Sequence, residues 1–368
     1  FDEDNEVYAV NTVGFYYNSH PIRVSAGELV RIYLVNILEF DETIPPRFGC
    51  VGQETTGPGG FAKALRTIPV VLELAELTAR RGAPGAWFVG FTNPTGMVTQ
   101  ALIDEGHRAL GLCNVAINLQ RRFATRFDVQ PQRVQLEHVG LNHLSWVRAV
   151  MVDGVDRLPA LLETDLPELS RETDMPSELI RALGAVPSYY LRYYYLTREI
   201  VEEQRRGRTR AEEVMEIEAR LIEMYRDPNL TEKPELLERR GGAYYSEAAA
   251  ELVASLAAGT GDVQVVNVRN AGAIPNLPLD DVVEVAATID AEGAHPLSVA
   301  PLSEEMLGLV QHAKAYERLT IRAATSGDRV LALRALLSNP LVPDYPTASG
   351  LLTAILDANR DHLPRFHS

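Results

Sequence analysis

A chain of 368 residues with 46% hydrophobic content can bury a large core and is long enough for two packed domains. Its 50 acidic against 35 basic residues, a formal charge of -15, argue against a nucleic-acid or anionic-lipid partner, so any phosphate must be held by a local site. Two cysteines, Cys50 and Cys113, are too few for a disulfide framework. No apolar run approaches the roughly 20 residues that span a bilayer, and the acidic start Asp2-Glu3-Asp4 is unlike a signal peptide, so the expected location is cytoplasmic.

In chain order, the first informative segment is Gly52-Gln53-Glu54-Thr55-Thr56-Gly57-Pro58-Gly59-Gly60, a polar cluster beside a glycine-rich turn, with a helical run from Phe61. Backbone can approach a ligand closely there, or the glycines can simply shape a loop. The segment does not fit the Walker phosphate-loop pattern. Short β-rich runs follow at 86–91, 110–115 and 134–139, alternating with helical candidates at 97–107 and 117–127. This reads as successive βα units of a doubly wound parallel sheet.

Each run ends in polar residues: Asn93 after the first, Cys113-Asn114 at the second and Asn142-His143 after the third. Ligands of open parallel sheets bind beyond the carboxyl ends of the strands, so these three ends predict one site. Cys113 and His143 are a soft and a borderline ligand for a divalent metal; taken alone, each could equally be a packed core residue.

Past residue 150 the chain becomes more helical, with runs at 198–226, 245–258, 303–315, 329–337 and 347–359 and strand character at 263–268. Residues 1–150 are therefore expected to form a doubly wound α/β domain and 151–368 a second, more helical one. Residues 186–195 pack five phenols into seven positions, Tyr189 to Tyr195. A tyrosine acts as a base only where a cation stabilises its phenolate, since its ordinary pKa is about 10, and the run nominates no single residue. Thr209-Arg210-Ala211-Glu212 matches a capping box, which sets Arg210 in a first helical turn where N–H groups, helix dipole and guanidinium favour an anion.

Together, Gln53-Glu54-Thr55-Thr56-Gly57-Pro58-Gly59-Gly60, Phe91-Thr92-Asn93-Pro94, Gly111-Leu112-Cys113-Asn114 and Val139-Gly140-Leu141-Asn142-His143 resemble the NAD- and metal-dependent 6-phospho-glycosidases of glycoside hydrolase family 4. The likeness continues through the tyrosine run, residues 209–215, residues 240–246 and residues 266–278. It implies a lactate-dehydrogenase-like architecture, with residues 1–150 a Rossmann-like nucleotide-binding domain whose N-terminal part is incomplete or divergent and 151–368 an α/β substrate and oligomerisation domain, and hydrolysis of 6-phospho-β-glucosides outside the usual paired-carboxylate scheme. NAD oxidises the sugar at carbon 3, a base removes the proton at carbon 2, the aglycone is eliminated and water adds.

By this resemblance Cys113 and His143 are ligands of a divalent metal, usually manganese, and Tyr190 is the base, with Tyr189 the alternative if the alignment slips by one. Arg210 matches a residue that binds the sugar 6-phosphate; Gln53, Glu54, Asn93, Asn114 and Asn142 match polar residues that orient sugar or cofactor. Asn114 and Ala185 stand where α-specific members carry Asp, which favours β specificity. Residues 1–50 hold glycine only at Gly14, Gly27 and Gly49, so the first βαβ unit reads as missing or altered, and no residue is assigned to NAD. Leu38 stands where the family commonly has an arginine. A homodimer or homotetramer is implied. The alternatives are a 6-phospho-α-glucosidase or galacturonidase specificity, or a non-catalytic sugar-phosphate-binding descendant.

Overall fold

The computed structural model describes residues 39–82, 85–227, 230, 234–240 and 245–367. The expected loss or alteration of the first βαβ unit, Leu38 and residues 241–244 of one matching motif lie outside them. Helices α1 (Glu39–Arg47) and α2 (Gly57–Arg81) come first. They pack through the loop 50–56, where a Cβ on Gly59 would sit 2.3 Å from the carbonyls of both Asp41 and Gln53. The glycine-rich turn is thus demanded by the crossing of the chain over itself.

Strand β1 (Phe88–Gly90), helix α3 (Thr95–Asp104), strand β2 (Ala109–Gly111) and helix α4 (Asn114–Arg126) form the expected βα units, and β1 and β2 pair in parallel. The third expected parallel strand is a correction. β3 (Val134–Leu141) pairs antiparallel with β4 (Leu144–Val152) in a separate sheet, joined by β5 (Val155–Asp156). The physical reason is visible in Val134-Gln135-Leu136-Glu137, which alternates buried and more exposed positions as a half-solvated antiparallel strand does.

Small helices α5 (Leu158–Thr164), α6 (Leu166–Thr173) and α7 (Ser177–Leu183) lead to β6 (Val186–Pro187), which pairs with β4. The tyrosine run then continues into α8 (Arg192–Tyr195). The single helical stretch expected at 198–226 is two helices, α9 (Thr197–Arg206) and α10 (Arg210–Met224), parted at Gly207 in extended backbone. The capping box of Thr209 and Glu212 at the start of α10 forms in both directions.

After α11 (Leu236–Arg240) and α12 (Tyr245–Ala258), strands β7 (Asp262–Arg269), β8 (Val282–Asp290) and β9 (Gly293–Pro296) return antiparallel to the first sheet, giving the order β1-β2-β7-β8-β9. The fold is α/β, as expected, but the sheet is mixed. Residue 150 lies inside β4, and the five-stranded sheet takes strands from both sides of it. Helices α13 (Glu304–Ser326), α14 (Arg329–Leu337) and α15 (Tyr345–Ala358) close the chain. One buried cluster joins both sheets, with Leu110 and Val266 and Val285 of the first against Val139, Leu141 and Trp146 of the second. It holds the carboxyl end of β2 against the β3–β4 turn.

Candidate active site

His143 occupies the two-residue turn between β3 and β4, where Leu141 faces Leu144, and its φ of 62° places a non-glycine residue in the left-handed region. Its ring stacks on Tyr190 with centroids 3.6 Å apart and planes inclined by 10°. Its Nδ1 lies 2.9 Å from Thr55 Oγ1. Gln53 Oε1 accepts the Thr55 N–H at 2.7 Å and the Thr55 hydroxyl at 2.8 Å, so that hydroxyl is spent as a donor. Thr55 Oγ1 must then accept from Nδ1–H, and the lone pair of His143 sits on Nε2. Burial pushes His143 down to about 4, against the pull of the Glu284 charge and with the help of Lys63. A neutral imidazole with a free Nε2 is the form that binds a metal.

Cys113 is the residue before α4 and follows β2. Burial and the charge of Glu284 push its thiol well above the ordinary range, while the N–H groups of Val115 and Asn114 and the Asn142 amide oppose them. Asn142 therefore touches the thiol and is adjacent in sequence to the imidazole. The same amide donates to Glu284 Oε2 at 3.0 Å. Cys113 and His143, far apart in the chain, belong to one buried cluster. Among the described residues no three His, Cys, Asp or Glu side chains are arranged to hold a metal, so a metal at this pair would need further donors from elsewhere. Soft thiolate and borderline imidazole, the latter with its lone pair turned free, fit a divalent transition metal.

Tyr190, not Tyr189, lies on the imidazole. Tyr189 is exposed and its hydroxyl accepts from Arg192 Nη1 at 2.6 Å. Gln53 acts through Thr55, and Glu54 is ion-paired with buried Lys63 on α2. The loop bearing both is tied to α9 by a reciprocal pair, Gly52 N–H to Gln204 Oε1 at 2.8 Å and Gln204 Nε2 to Gly52 O at 2.6 Å. Asn93 follows β1 and accepts from Thr95 Oγ1 at 3.2 Å; its neighbour Pro94 lines, with Asn142, His143 and Glu317, a cavity of about 20 Å³, room for one water. Asn114, half-buried, opens α4.

Arg210 is not brought into this cluster. Its side chain is 50% exposed and donates to Glu213 Oε2 at 3.0 Å and Arg239 O at 2.7 Å. The N–H of Ala211, in the same helical turn, already bonds Glu42 Oε2 at 2.7 Å. A carboxylate of the chain itself fills that anion position. Sequence reasoning missed Thr55, Lys63, Gln204 and Glu284. For Glu284 a signal existed, one charge inside the apolar run Val282-Val283-Glu284-Val285-Ala286-Ala287.

A buried thiol and a neutral imidazole beside a stacked tyrosine, at the strand ends of an α/β fold, are a donor set suited to an enzyme that works with a metal. Comparison with known proteins specifies which. The models described as family 4 glycosyl hydrolase and family 4 glycosyl hydrolase C-terminal domain match residues 27–129 and 138–342. A probable 6-phospho-beta-glucosidase of Bacillus subtilis is 40% identical over 349 residues, 91% of this chain and 79% of that protein. The solved 6-phospho-beta glucosidase of Thermotoga maritima with manganese, NAD+ and glucose-6-phosphate superimposes with a TM-score of 0.82 at 39% identity, covering 88% of this chain and 78% of its own. A 6-phospho-alpha-glucosidase from gut microorganisms, solved with NAD and glucose-6-phosphate, matches at 0.79 and 27% identity, covering 88% and 78%. The chain belongs to glycosyl hydrolase family 4.

Proposed function

We propose that this chain hydrolyses 6-phospho-β-glucosides, using NAD and a divalent metal, manganese, held by Cys113 and His143. The observation that carries the reading is the Tyr190 ring lying on His143 while Cys113 meets the same turn through Asn142. The relatives named above support it, since the β-specific proteins are 40% and 39% identical and the α-specific structure 27%. Asn114 and Ala185, where α-specific members carry Asp, support the β assignment. When bound, the metal supplies Lewis acidity at the sugar hydroxyls and NAD accepts and returns a hydride at carbon 3.

Tyr190, stacked on His143, would remove the proton at carbon 2, and a cation held by His143 would favour its phenolate. His143 presents Nε2 because Thr55 and Gln53 hold the Nδ1 proton. Asn93, Asn114, Asn142 and Glu54 orient the ring and cofactor, and Arg210 takes the 6-phosphate by turning away from Glu213. Two free thiols, Cys50 and Cys113, support a reducing cytoplasm. The resemblance to the family carries the further proposal of a homodimer or homotetramer, which light scattering checks.

The test is turnover in D2O with manganese, NAD and reductant, on a phosphorylated and an unphosphorylated aryl β-glucoside. Deuterium at carbon 2 of the product, and turnover of the phosphorylated substrate alone, is the expected result. Equal rates on both substrates, or hydrolysis without label, sinks the reading. Calorimetry that detects no NAD binding in the presence of metal and glucose 6-phosphate replaces it with sugar-phosphate binding without catalysis.

A further inference from the structure

Glu284 is 1% exposed in the middle of β8, between buried Val283 and Val285. A carboxylate in a core strand is costly, and an apolar side chain would tie the strands together as well. Its bonds show what the charge is used for. Oε1 accepts from His138 Nε2 of β3 at 2.8 Å. Oε2 accepts from Asn267 Nδ2 of β7 and from Asn142 Nδ2, each at 3.0 Å.

Two of these bonds link regular strands. The third leaves them and reaches the turn that carries His143 in its left-handed conformation, through an amide that also touches the Cys113 thiol. One buried oxygen therefore restrains both members of the metal-binding pair through a single side chain.

We infer that Glu284 is a positioning residue which, through Asn142, fixes the His143 turn and the Cys113 thiol in register for a metal. The inference rests on the proposal that these two residues bind a divalent cation. It assigns Glu284 no contact with substrate. Outer partners of this kind set the orientation of ligands and commonly govern affinity.

The experiment is a cobalt(II) titration of the full chain under reductant, following the thiolate-to-cobalt band. The wild type shows the band and Cys113→Ser lacks it; a wild type without the band overturns the metal proposal and this inference together. Glu284→Gln keeps the size of the side chain but loses its charge. It is expected to weaken cobalt binding about 10- to 100-fold and to alter the band in a protein with native circular dichroism. Asn142→Ser, which cuts the tether while Glu284 keeps His138 and Asn267, is expected to do the same and decides the matter if Glu284→Gln does not fold. A purely structural role lowers the melting temperature without moving the band. Wild-type affinity and an unmoved band in either folded variant overturn the inference and leave the metal proposal standing.

Discussion

Thr55 decides which nitrogen of His143 faces the site, because its own proton is committed to Gln53. Thr55→Val keeps the shape and removes both bonds. Manganese affinity measured by electron paramagnetic resonance is expected to fall about 10-fold or more, with the fold intact. Tyr190→Phe keeps the ring on His143 but removes the phenol. It should lower kcat by about 100-fold or more while cobalt binding is retained, a split that single-turnover and titration data resolve.

A third residue links pH to stability. Burial lifts Glu42 from 4.5 to about 7, against the bond from Ala211 N–H. The fold favours its protonated form, so the contribution is full below about 4.5 and is lost as pH rises through about 7. The loss is on the order of 3 kcal/mol, from about 1.4 kcal/mol per pKa unit. Melting at pH 8 is expected to occur at lower temperature than at pH 5, and Glu42→Gln should flatten that difference; an unchanged slope in the variant refutes the assignment.

At this scale the sequence singled out Cys113, His143 and Tyr190 because their segments resemble a family, and the structure stacks Tyr190 on His143 and buries Cys113. The partners of Glu284 and Thr55 were not legible, since His138 and His143 are 146 and 88 positions away, although Glu284 itself stands out as one charge in an apolar run. No local spacing encodes such a bond.

Among the elements, the capping box was readable from four consecutive residues, because both of its bonds are local. Thr209→Ala is expected to destabilise by about 1 kcal/mol in denaturant unfolding. The β3 assignment failed for a different reason. A six-residue run with apolar positions at Val134, Leu136 and Val139 says that a strand exists, and only its partner says whether it is parallel. The partner β4 opens with Leu144-Ser145-Trp146-Val147, directly after a two-residue turn, and that hairpin signature outweighs the βα rhythm before it. The glycine-rich turn was readable as a close approach, although its neighbour is the chain's own backbone. Gly59→Ala should cost about 1–3 kcal/mol and displace the 53–55 loop, seen as weakened metal affinity as well as a lower melting temperature.

Across the whole molecule, the α/β class followed from alternating elements in the first half, whereas the completion of the sheet by β7, β8 and β9 did not. Antiparallel strands returning from more than 100 residues downstream obey no local period. Their cost appears elsewhere. The His138–Glu284 bond joins positions 146 residues apart. At roughly 5–20 residues per second of synthesis, β3 waits on the order of 7–30 s for the strand that completes its surroundings. For that interval on the ribosome, the Cys113 thiol, buried in the finished fold, stands open to oxidants.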